Sequence, residues 1–63
     1  MKRRDLMKRL AQIAKSQGAQ MYLTEGGSHT KVTIGNRTDV VPRHAEINEM
    51  TAKAIIRKLE GRP

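Results

Sequence analysis

The sequence predicts an α+β fold: a helix, a three-stranded antiparallel sheet, then a second helix. Three observations predict it. Helical periodicities occupy both ends of the chain, an alternating apolar and polar stretch lies between them, and two glycine-containing turns divide that stretch. The chain has 63 residues, which fits one domain over 1–63 with a core of roughly a dozen aliphatic side chains.

From Lys2 to Gln17 the apolar residues Leu6, Leu10, Ile13 and Ala14 fall on one helical face, with Arg4, Lys8 and Lys15 outside it. Asp5 is spaced to pair with Arg9, and Gly18 supplies a left-handed stop. Ala19, Met21 and Leu23 then alternate with Gln20, Tyr22 and Thr24, the pattern of a half-buried strand in which Tyr22 is read as a half-buried packing residue. Glu25-Gly26-Gly27 makes a turn. In the second strand, Ser28 to Ile34, the apolar pair Val32 and Ile34 sets the core face, so His29 and Lys31 are expected on the opposite one.

Gly35-Asn36 announces a hairpin, for which a two-residue loop is the default. That loop would set Val32 opposite Asp39 and Val40 beside Lys31. An odd loop, Ile34-Gly35-Asn36 with Asn36 left-handed, keeps Val32 and Val40 on one face and is the preferred expectation. Val41-Pro42 ends the third strand, and Arg43, His44, Ala45 and Ile47 lead to a helix capped by Asn48. His44 is read as a packing or capping residue near that cap. Ala52, Ile55, Ile56 and Leu59 form the second helix's core stripe, Lys53 and Arg57 line another face, and Gly61-Arg62-Pro63 is expected to fray.

Thirteen Lys and Arg against six Asp and Glu leave a net charge of +7, so the expected partner is a polyanion. With no Trp, no Phe and one Tyr, the chain lacks the aromatic anchors of an interfacial helix, and no apolar run is long enough to span a membrane. Nucleic acid is the better fit. Tyr22 alone cannot make a multi-ring stacking platform. The absence of cysteine excludes disulfides and thiolate zinc sites and suits a cytoplasmic setting. His29 and His44 lack metal-ligand spacing, Ser28 beside His29 has no hydrolase elbow, and Gly26-Gly27 is too short for a phosphate-binding loop, so no cofactor or metal is expected.

What remains is Gly26-Gly27-Ser28-His29, an imidazole beside a tight turn in a basic chain. An imidazole both takes and gives protons near neutrality. RNA supplies its own nucleophile, the ribose 2′-hydroxyl, so a metal-free histidine base with nearby cations suits RNA rather than DNA. Two other readings stay open: a non-catalytic RNA-binding module using Arg4, Lys8, Lys31, Lys53 and Arg57 for phosphate contacts, and a protein whose charge docks an acidic partner.

The chain also resembles the HicA toxins, small messenger-RNA interferases of bacterial and archaeal toxin–antitoxin pairs. The resemblance runs from about Lys2 to Leu59 and is carried by Arg4-Asp5-Leu6 through Leu10, Gly26-Gly27-Ser28-His29, Val41-Pro42-Arg43-His44, and Thr51 to Leu59. It implies a fold like that of double-stranded-RNA-binding domains and endoribonuclease activity on mRNA, with His29 as the essential histidine. It also implies a HicB-like antitoxin that covers the active site. Where many relatives place an aromatic residue or second histidine after the Gly-Ser-His segment, this chain has Thr30-Lys31-Val32.

Overall fold

The computed structural model describes residues 1 to 61: α1 (Arg3–Ser16), β1 (Met21–Glu25), β2 (His29–Ile34), β3 (Arg37–Pro42) and α2 (Glu49–Glu60). This is the helix, three-stranded antiparallel sheet, helix order that the periodicities predict. Leu6, Leu10, Ile13 and Ala14 are the buried face of α1, and Gly18 follows its end at φ 63°. Asp5 and Arg9 form no ion pair among the described residues. Asn48 caps α2 as expected, its Oδ1 accepting from the backbone N–H of Met50 at 2.8 Å and of Thr51 at 3.4 Å. Gly61, at φ 84°, donates to the carbonyls of Arg57 and Lys58. Arg62 and Pro63, on which most of the expected fraying falls, lie outside the described residues.

The strands form a meander in the order β1-β2-β3, which makes β2 the central strand. The β2–β3 hairpin corrects the expected odd loop. Ile34 pairs with Arg37 across a two-residue turn, Val32 faces Asp39, and Val40 stands beside Lys31 on the outer side. Gly35 takes the positive φ, 62°, and no non-glycine residue among those described has one, so Asn36 is not left-handed. A glycine at the first central position is the requirement of a II′ turn. The register is settled by Val41, fully buried opposite Thr30, and by α2, whose Lys58 ammonium lies 3.9 Å from the Asp39 carboxylate. A helix-side aspartate is thus tolerated because a cation reaches it.

Val32, Ile34 and Val41 join Leu6, Leu10, Ile13, Ala14, Ile47, Ala52, Ile55 and Leu59 in one core, so both helices cover the same side of the sheet. Ile56, expected in the core stripe, is only partly buried, while Ile47 from the connection is almost wholly so. β1 is shorter and later than its alternation suggested, and as an edge strand it is poorly covered: even Leu23, paired with buried Val32, is half exposed. The chain's first residues run antiparallel to 45–47, with Arg3 N–H donating to Ala45, Ile47 N–H donating to Met1, and a bridge between Lys2 and Glu46. No helix among the described residues is long and apolar enough to cross a membrane.

Candidate functional site

Alternation along β2 buries Thr30, Val32 and Ile34, and leaves His29 and Lys31 exposed on the bare side of the sheet. His29 is the first residue of the central strand. Its carbonyl accepts from Gly26 N–H at 3.0 Å, which closes the Gly26–Ser28 turn. The preceding carbonyl, Ser28, accepts from Arg43 N–H at 3.3 Å, and Pro42 lies directly opposite His29 on β3. The backbone that presents the imidazole is therefore held from both neighbouring strands.

Beneath it lies a polar network that sequence reasoning missed. Thr30 is the only buried polar or charged residue among those described. Its hydroxyl accepts from Arg3 Nη2 at 2.7 Å and donates to Glu25 Oε1 at 2.8 Å. Glu25 also accepts from Arg43 Nη2 at 2.6 Å, and Arg3 Nε donates to the Pro42 carbonyl at 3.1 Å. Every strand and the start of α1 thus meet at the residue after His29. One signal was present: a threonine in register with Val32 and Ile34 is a buried hydroxyl, and buried hydroxyls require partners.

The network fixes a charge as well as a turn. The Thr30 hydroxyl foremost, with the hydrogen bond and charge of Arg43 and the charge of Arg3 adding to it, holds the Glu25 carboxyl below its ordinary value despite some desolvation. A carboxyl lowered on folding contributes stability above its unfolded pKa and loses it as pH falls through the folded one. The thermal midpoint should therefore drop as the acid side of the normal glutamate range is crossed, and drop less for Glu25→Gln. Parallel curves for the two proteins would remove Glu25 from the frame of the turn.

The other expected contact residues are not gathered around His29. Lys31 shares its face, two residues along the same strand. Arg4 is exposed at the start of α1, where it lines an open groove with Lys2, Arg3, Ala45 and Glu46 at the same end of the molecule. Lys8 on α1 and Lys53 and Arg57 on α2 are exposed on the helix layer, across the sheet from His29. A single phosphate track does not contain all five. His44 is exposed and makes no side-chain hydrogen bond among the described residues, and Asn48 caps α2 without it. Tyr22, expected to be half-buried, is 61% exposed. No group of three or more His, Cys, Asp or Glu among the described residues is arranged to hold a metal ion.

No family model, curated protein or solved structure matches this chain. The site joins an accessible imidazole on a pinned turn, a lysine on the same face, and arginines at the same end.

Proposed function

We propose that the chain is an endoribonuclease that cleaves mRNA without a metal, acting as the toxin of a HicAB-type pair in the cytoplasm. The observation that supports cleavage is the exposed His29 on a backbone held by Gly26 and Arg43, with Lys31 two residues along the same face; the toxin role, the mRNA substrate and the antitoxin rest on the resemblance to the HicA toxins. Neutral His29 takes the proton of a ribose 2′-hydroxyl. The 2′-oxygen then bonds to the adjacent phosphorus, the bond from phosphorus to the 5′-oxygen breaks, and that oxygen takes a proton from the imidazolium or from water. The product ends are a 2′,3′-cyclic phosphate and a 5′-hydroxyl. Lys31, one row further along the same strand, holds the neighbouring phosphate and so fixes the strand over His29. A HicB-like antitoxin would inhibit by covering His29.

Incubating the purified protein with RNA, with and without excess chelator, tests the reading. Cleavage is expected in both, with 2′,3′-cyclic phosphate ends, and DNA should be untouched. Affinity should also fall with salt, each neutralised phosphate contributing about −0.7 to the slope of log affinity against log salt on a single strand. Chelator-sensitive cleavage would remove the metal-free route, and intact RNA under both conditions would leave a binding role.

A further inference from the structure

The bare side of the sheet is laid out in rows. Pro42 stands opposite His29 in the first; Thr24, Lys31 and Val40 lie abreast in the next; Tyr22, Thr33 and Thr38 lie abreast in the third. Rows on one face are two residues apart, which is about 7 Å at the rise of an extended strand. That repeat is comparable to the reach of one nucleotide in an extended single strand. With the scissile phosphate at His29, the next phosphate falls near Lys31 and the following nucleotide over the third row.

The third row holds the chain's only tyrosine, with no Trp or Phe elsewhere. Tyr22 is 61% exposed, and its hydroxyl has no hydrogen-bond partner among the described residues. Beside it the Thr33 and Thr38 hydroxyls are hydrogen-bonded to each other at 3.1 Å, which places two polar groups in the row next to the ring. The three rows carry a cation, Lys31, and no carboxylate, which favours an anion as the occupant of this face. Sheet faces that carry exposed aromatic side chains bind single-stranded RNA by stacking its bases.

We propose that Tyr22 is a base-stacking subsite, holding the nucleotide two positions from the bond presented to His29. One ring makes one subsite, and it requires an unpaired base, so the preferred substrate is single-stranded RNA. The distance counted from the cut rests on the reading of His29 as the cleaving group. Stacking itself is tolerant of sequence, because every base has a π-face.

Because Tyr22 is the sole tyrosine and there is no Trp, the protein's intrinsic fluorescence reports on it alone. A short dye-labelled 2′-O-methyl RNA of mixed sequence, which has no free 2′-hydroxyl and cannot be cleaved, is titrated into the wild-type protein and into Tyr22→Thr and Tyr22→Phe with affinity read from the anisotropy of the dye, and the unlabelled strand is titrated into the wild type to read tyrosine quenching. Threonine keeps a strand-favouring residue while removing the ring. Binding should quench the wild-type emission. Affinity should fall about 5- to 150-fold in Tyr22→Thr, the equivalent of about 1–3 kcal/mol for one stacked base, and stay near wild type in Tyr22→Phe. With cleavable RNA, Tyr22→Thr should raise KM more than it lowers kcat.

Unquenched emission together with equal affinity in Tyr22→Thr would overturn the subsite even if RNA is cleaved. Quenching and weakened binding with no cleavage would keep the subsite and defeat the ribonuclease reading. Unchanged RNA affinity combined with altered sedimentation of Tyr22→Thr would assign the ring to a protein contact and likewise overturn the proposal.

Discussion

Replacing His29 with alanine is expected to lower RNA cleavage by about 10² to 10⁴, the contribution of a positioned acid–base group. The fold should be unaffected. The imidazole is exposed, and the hydrogen bonds that hold the turn are made by the carbonyls of His29 and Ser28, which alanine leaves in place. Binding of uncleavable RNA should change far less than turnover. Cleavage at the wild-type rate by a protein with normal circular dichroism would show that another group does the chemistry. Loss of the folded signal would make His29 a structural residue instead.

The second large effect is on stability. Leu10, in the middle of α1, is fully buried in the single core. Leu10→Ala removes its packing and leaves a cavity, at a cost of about 2–5 kcal/mol. A core of this size supplies rarely more than about 3–5 kcal/mol in total, and no disulfide backs it up. The variant should therefore be largely unfolded near room temperature, whereas Lys8→Ala, two residues away and exposed, should unfold at nearly the wild-type urea midpoint. Equal midpoints for Leu10→Ala and wild type would mean that α1 does not seat on the sheet through this residue.

Elements whose evidence is local were legible in the sequence. Both helices carry their apolar stripe at helical spacing, Asn48 caps its own helix, and Gly18 stands just past α1 at positive φ. The outward side of β2 followed from Val32 and Ile34 alone. The β2–β3 register did not follow, because hydrophobic matching argued for Val40 on the same face as Val32, while the tolerance of Asp39 on the helix side depends on Lys58, far along the chain. Tyr22 was misjudged for a related reason. Alternation gives the face of a residue, but its burial depends on how far the helices extend over an edge strand, and Leu23 shows how little they cover β1. At the site, His29 and Lys31 could be placed on a common face from strand period. The frame beneath them could not, since Arg3, Glu25, Thr30 and Arg43 are brought together only by tertiary structure.

The bond from Arg3 to the Pro42 carbonyl, 39 residues apart in sequence, carries a consequence for timing. Domains fold as units while the ribosome extends the chain, and long loops must close before distant contacts reward them. His29 leaves the exit tunnel before Pro42 and Arg43, and before the Lys58 that answers Asp39. During that interval the turn lacks its β3 clasp, and Arg3 lacks its Pro42 acceptor. The nascent chain thus carries its histidine only partly framed, and the arrangement around it is completed once β3 has emerged.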